Sequence, residues 1–176
     1  MTMQQSERIL IDGEIHSMST EPLHPYLEKH PEINFRQMAL ASGRSIIVTS
    51  ANHRSYNGTW AIKDDALWLV SLWSINSNIA VQWAGDVLEF KPYLLNPKNP
   101  NNHIPYEERG HPNPEGPIMA TWYSGFLFVG NGAQKYPGEG MVQSYERYLA
   151  FKIVNGRVEG IRHMTHEEAG ESGWEF

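Results

Sequence analysis

Side chains that could bind a metal, move protons or attack a carbonyl are present, but few have the spacing such chemistry needs. His163-Met164-Thr165-His166, followed by Glu167 and Glu168, is the densest run of donors among eight histidines. Histidines three apart share a face on a helix, as ligand pairs do. No helical period surrounds them, so the run reads as a solvated segment and not as a metal centre. His24, His30, His103 and His111 lie beside a short helical stretch or within a proline-rich one and read as solvated. The carboxylate pairs Asp64-Asp65, Glu107-Glu108 and Glu167-Glu168 are adjacent in sequence. Neighbours on a strand point to opposite faces, and neighbours in a turn serve its geometry, so none is a natural acid/base pair. Ser124-Gly125 lacks the first glycine of a nucleophile elbow. Gly130-Asn131-Gly132 leads into neither a helix nor a Lys-Ser/Thr, as a phosphate loop would. One enzymatic arrangement stays open, a site assembled from Tyr145, Glu146 and His163.

Composition narrows the classes further. With 176 residues, 40% hydrophobic and 11% aromatic, the chain suits one domain with one core. A formal charge of −6 argues against nucleic acid as a partner, because nothing here would replace counterions along a phosphate backbone. It also admits an acidic face presented to a basic partner. The absence of cysteine excludes disulfides, thiolate zinc sites and a cysteine nucleophile. No stretch nears a membrane span, and Met1 to Arg8 does not read as a leader, so a cytoplasmic location with no membrane partner is expected.

The positioning elements read as strands. Tyr56 to Trp73 is a hairpin about Asp64-Asp65, with Lys63 facing Ala66, Ile62 facing Leu67, Ala61 facing Trp68 and Trp60 facing Leu69. Its second arm is apolar in both phases, Trp68, Val70 and Leu72 against Leu67, Leu69 and Trp73, which predicts a central strand covered on both sides. Asp12-Gly13 predicts a hairpin of Glu7 to Ile11 with Glu14 to Met18. Prolines around Leu23, Tyr26 and Leu27 predict a short helix against a sheet end. Arg44 to Ser50 reads as a strand, and Ile79 to Phe90 as two strand segments bent at Gly85-Asp86. Ile118 to Val129 reads as two more, with a bulge or tight bend at Gly125. Asn155-Gly156 predicts a last hairpin in which Lys152 faces Glu159 and Ile153 faces Val158. Pro92 to Pro117 holds seven of the eleven prolines and reads as an inserted loop. Gly130 to Gly140 reads as a second loop, and 163–176 as a polar acidic tail.

Three stretches, and a fourth near the N-terminus, resemble a family of small uncharacterised bacterial proteins. Tyr56-Asn57-Gly58-Thr59-Trp60-Ala61-Ile62 with Leu67-Trp68-Leu69 is similar to its Gly-Tyr-x-Gly-Thr-Trp-x-Ile and Leu-Tyr-Leu. Ala120-Thr121-Trp122-Tyr123-Ser124-Gly125 resembles its Ala-Asp-Trp-Phe-Ser-Gly, and Ser144-Tyr145-Glu146-Arg147-Tyr148-Leu149 resembles its Ser-x-Tyr-Glu-x-x-Leu. Met18 to Leu27 resembles its Met-x-x-x-Pro-Leu-x-x-Tyr-Leu. Thr121 stands in place of the family's Asp, Gly138 in place of its His, and Ser55 in place of a frequent Gly. The resemblance carries no established function.

The expected fold is therefore all-β or strongly β-dominated, a curved antiparallel sandwich or partly open barrel of hairpins with one short helix. Trp60, Trp68, Trp73, Trp83 and Trp122 all fall in expected strands, and five indoles exceed what a small core usually takes. Core packing is their first role; the surplus could line a ligand site or anchor a partner. The favoured function is a non-catalytic cytoplasmic protein that recognises another protein, as an immunity or inhibitor protein does. Trp60, Trp68, Trp83, Glu107, Glu108, Trp122 and Tyr123 are its candidate binding residues. A β-barrel pocket that takes a small molecule or sugar against the tryptophans is the alternative, ahead of the dispersed enzymatic site. No cofactor or metal is implied, and a homo-oligomer is compatible with all three readings.

Overall fold

Three two-residue turns start the fold. Asp12-Gly13, Asp64-Asp65 and Asn155-Gly156 hold positive φ at both positions, 50° and 80°, 51° and 52°, and 48° and 81°. This is the type I′ backbone, whose twist matches that of the strands it joins. The computed structural model describes residues 6–35, 37, 56–74, 79–84, 87–93, 116–135 and 144–171, with the side chains of 73–74, 79–84, 87–93, 134–135, 144 and 170–171 left aside. The predicted strand over Arg44 to Ser50 and the bend at Gly85-Asp86 lie outside the described residues.

The first turn joins β1 (Glu7–Ile11) to β2 (Glu14–Met18), and α1 (His24–Lys29) follows, with proline in its first turn. The second joins β3 (Tyr56–Lys63) to β4 (Ala66–Ser74), and all four predicted pairs are present, from Lys63 with Ala66 to Trp60 with Leu69. Beyond Trp60 the register shifts, because Thr59 pairs with Ser71 and Val70 has no partner on β3. This bulge corrects the expectation of a strand covered on both faces. The extra residue brings Leu72 into phase with Leu67 and Leu69, all at most 2% exposed, while Trp68 and Val70 stay half-buried on the other side.

The free edge of β4 then serves three partners in succession. Ala66 pairs with Arg157 of β10 (Arg157–Thr165), Trp68 and Leu69 pair with β7 (Ile118–Met119), and Leu72 to Ser74 pair with β5 (Ile79–Ala84). Leu67 donates its N–H to Gly156 O at 2.8 Å and accepts from Ala120 N–H at 2.9 Å, and Val158 N–H reaches Asp65 O at 2.9 Å. Around the other side, β3 lies parallel to β1, β2 meets β8 (Gly125–Lys135), and β8 pairs with β9 (Ser144–Val154), which pairs with β10. Seven strands thus close a barrel, with β5 and β6 (Val87–Tyr93) running on from β4. The fold is strand-dominated as expected, and of the expected sandwich or partly open barrel it is the barrel, closed and with one parallel pair, β1–β3.

Ile9, Met18, Trp60, Leu67, Leu69, Leu127, Val129, Phe151 and Ile153 fill the interior. A second cluster, Phe128, Tyr148, Ala150, Met164 and Ala169, lies on the outer face of β8 to β10 under a second helix, α2 (His166–Glu171). That helix corrects both the single expected helix and the solvated tail. Thr165 caps it by accepting Glu168 N–H at 3.2 Å, and Glu167 and Glu168 suit the positive end of its first turn. Other boundaries also move. β6 runs through Pro92 to Tyr93, and β8 runs through Gly130 and Gly132 to Lys135, where loops were expected; residues 94–115 are not described. Trp122 sits in the turn between β7 and β8, not in a strand. Ile153 faces Val158 as predicted, but a bulge at Glu159 sets Lys152 against Gly160 and dissolves the expected ion pair.

The closure depends on glycine at one turn position. Gly156 has φ of 81°, and a Cβ there would lie 2.8 Å from Ala120 O and 2.9 Å from its carbonyl carbon. Gly13 has φ of 80° with nothing within 4 Å. Gly156→Ala should therefore cost about 2–4 kcal/mol and Gly13→Ala about 1 kcal/mol, read from urea unfolding. Equal losses would contradict the docked turn.

Candidate functional site

The barrel has a covered end and an open end. At the covered end Leu23, the residue before α1, is fully buried in the core, and Tyr26, Leu27 and Ile33 pack against that core. Trp122 Nε1 donates to Pro22 O at 2.8 Å, and its ring lies 5.3 Å from Tyr26 and 6.4 Å from Trp60. Phe35 packs 5.1 Å from Tyr56. Beneath this cover a carboxylate is buried: Glu7, 1% exposed, accepts Gly58 N–H at 2.9 Å and Trp60 Nε1–H at 2.7 Å on Oε2. Gly58 is required by this approach, because a Cβ there would overlap the carboxylate and lie 2.8 Å from Trp60 Nε1. Glu7 escaped the sequence reading. Its signal is its phase, since it alternates with Ile9 and Ile11 on the inward side of β1.

The structure gathers three of the expected binding residues and disperses or leaves out the rest. Trp60 (0% exposed) and Tyr123 (2%) are core, and Trp122 packs on them, so these aromatic rings form the covered end. Tyr123 O–H donates to Phe126 O at 2.8 Å. Trp68 lies on the outer side of the β3–β4 hairpin, half-buried, donating Nε1–H to Lys63 O at 3.0 Å. The Trp83 side chain, Glu107 and Glu108 lie outside the described residues. Tyr145, Glu146 and His163 do not converge. Tyr145 packs with Tyr148 on the outer face, Glu146 is exposed, and His163 pairs with Leu149 further along the ladder. Among the described residues no group of three or more His, Asp or Glu side chains is placed to hold a metal.

Away from α1, the inward phase changes character. Ile11 and Ile62, side by side through the parallel β1–β3 register, are half-buried, as are Leu149 and Val158. Ile161 pairs with the buried Phe151 and shares its inward phase, yet it is 60% exposed. Aliphatic side chains are thus left open to water on the inward face, with His163 and Arg147 exposed in the same phase further along β10 and β9. Acidic residues lie near the strand ends: Asp12 at one hairpin tip, Asp64 and Asp65 at the next, then Glu159 at the bulge of β10, all exposed. Glu14 stands beside Ile11 on the neighbouring strand, with its Oε2 3.8 Å from His16 Nε2. Chemically this end can bury apolar groups and attract positive charge; it presents no nucleophile beside a base.

Comparison of the chain with protein-family models, curated proteins and solved structures gives no match. No helix among the described residues is long and apolar enough to cross a membrane.

Two stability effects follow at the covered end. Glu7→Ala strands two buried donors at about 1–3 kcal/mol each. A double-mutant cycle of Glu7→Ala with Trp60→Phe should show about 1.5–3 kcal/mol of coupling by urea unfolding, as for a hydrogen bond to a charged group; additive losses would refute the pairing. Burial pushes the Tyr123 phenol well above its ordinary 10.0, and burial also raises Tyr148 and Tyr26, the last helped by the nearby Glu32 charge. A raised phenol stabilises the fold fully below the unfolded value and loses that contribution as pH rises through the folded one. Urea midpoints should hold up to about pH 10 and fall above it, with Tyr123→Phe flattening the fall; an unchanged slope in Tyr123→Phe would reject Tyr123 as a source.

Proposed function

We propose that this is a non-catalytic binding protein that recognises another protein through the open end of its barrel. The observation that carries the reading is Ile161, inward in phase but 60% exposed, on the strand face it shares with the half-buried Leu149 across the β9–β10 ladder. Aliphatic side chains held open on a rigid sheet cost hydration in the free protein and reward a partner that covers them. The tryptophans support this indirectly. Trp60 and Trp122 pack at the other end of the barrel, so these two indoles serve the core there.

A small apolar ligand on the same face is the second reading, favoured by the half-buried aliphatics around it. An enclosed pocket against Trp60 is not favoured, because the ring is wholly buried among core side chains such as Ile9, Leu67 and Leu69, with Trp122 packed against it. The enzymatic reading loses its support with the separation of Tyr145, Glu146 and His163.

Purification at low salt from the source lysate, followed by native mass spectrometry and light scattering, separates the two. Wild type and the outer-face control Ile15→Ser should retain a stoichiometric protein, and Ile161→Ser should lose most of it. A retained small-molecule mass without protein would shift the assignment to the ligand reading; a protein retained equally by Ile161→Ser would place recognition elsewhere.

A further inference from the structure

The open end selects for a particular partner chemistry, an inference that rests on the binding reading above. Ile161 is exposed on the inward phase of β10, and Ile62 and Ile11 lie side by side on β3 and β1 at the same end of the barrel. Its margin carries Asp12, Asp64, Asp65 and Glu159 near the strand tips, with Arg157 between Asp65 and Glu159 in the phase opposite to the inward Val158. The parallel β1–β3 register sets the Asp12 turn beside the Asp64-Asp65 turn, and the Val158 N–H bond to Asp65 O brings the start of β10, with Glu159, against that turn. Lys63, on the same hairpin, follows the inward Ile62 and so points to the outer side. We infer that the partner is a cationic amphipathic segment of another protein, an aliphatic side chain seated on Ile161 with Lys or Arg on either side facing Asp12, Asp65 and Glu159. The charge argument excludes the main competitors for the same face. A second copy of this chain, at −6, would bring like charge to this margin, and an anionic lipid surface would be repelled by it.

The probe is a fluorescein-labelled amphipathic Leu/Lys peptide, with a Leu/Glu peptide of the same pattern as its counterpart, read by anisotropy on the full chain. The Leu/Lys peptide should bind at least about tenfold tighter than the Leu/Glu peptide at low salt, with the gap closing at high salt as the acidic groups are screened. Ile161→Ser should weaken it by about five- to tenfold, as loss of a buried anchor does. Ile15→Ser, which alters a 63% exposed side chain on the outer face, should leave it unchanged. A combined Asp65→Asn, Glu159→Gln variant should narrow the charge preference without changing the urea midpoint, because Asn also accepts positive φ at the turn. Equal binding of the two peptides, preference for Leu/Glu, or self-association that depends on Ile161 would each overturn the inference. A lysate protein released by Ile161→Ser, combined with no Leu/Lys binding, would overturn the cationic partner alone and leave the binding reading standing. Loss of both would remove the reading as well.

Discussion

The backbone of Leu67 is the point on which the barrel depends. One side of this residue pairs with Ile62 in the β3–β4 hairpin, and the other gives its N–H to Gly156 and its carbonyl to Ala120. Its side chain is wholly buried in the core beside Trp60 and Leu69. A strand that meets β10, β7 and β5 along one edge cannot shift register without breaking all three, since a slip of one residue also turns its core face outward. The short contact between β4 and β10 is therefore enough to close the ring. It is also why strands on either side of it extend past the hairpin tip and leave an open end.

Closure and opening are linked. The hairpin tip at Asp64-Asp65 ends where β10 begins, so β10 continues without β4 beside it and Ile161, inward in phase, is 60% exposed. At the other end α1, Trp122 and the chain up to Phe35 cover the interior, and the Glu7 carboxylate ties β1 to β3 where their parallel pairing has few rungs. Burying that charge is tolerable because two N–H groups meet it. One end is thereby spent on stability, and the other carries the surface available for recognition.

Much of this was legible where local chemistry decides. Asp-Gly, Asp-Asp and Asn-Gly at the tips set the hairpin registers, and the pairs from Lys63 and Ala66 to Trp60 and Leu69 follow from the turn alone. The bulges at Val70 and Glu159 were not, because an extra residue in a ladder leaves no mark of type, and it was these that re-phased Leu72 and separated Lys152 from Glu159. The second helix had a signal, the capping box of Thr165 with Glu168, that the neighbouring His163 and His166 drew attention away from. Glu7 likewise announced itself only through its phase with Ile9. The parallel β1–β3 pair joins segments far apart in sequence, and no periodicity reveals which strands become neighbours. Trp60, Trp122 and Tyr123 form a real cluster in the first role expected of such residues, core packing, although ring bulk is the same signal whether it fills a core or lines a site.

Native-state amide hydrogen exchange at Leu67, Gly156 and Val158 tests the closure most directly. The account predicts that these three amides exchange only with global unfolding, alongside the N–H of Trp60 in the core. Exchange through a lower-energy opening, with Trp60 still protected, would mean that β10 parts from β4 in the native protein and that the open end has no fixed shape.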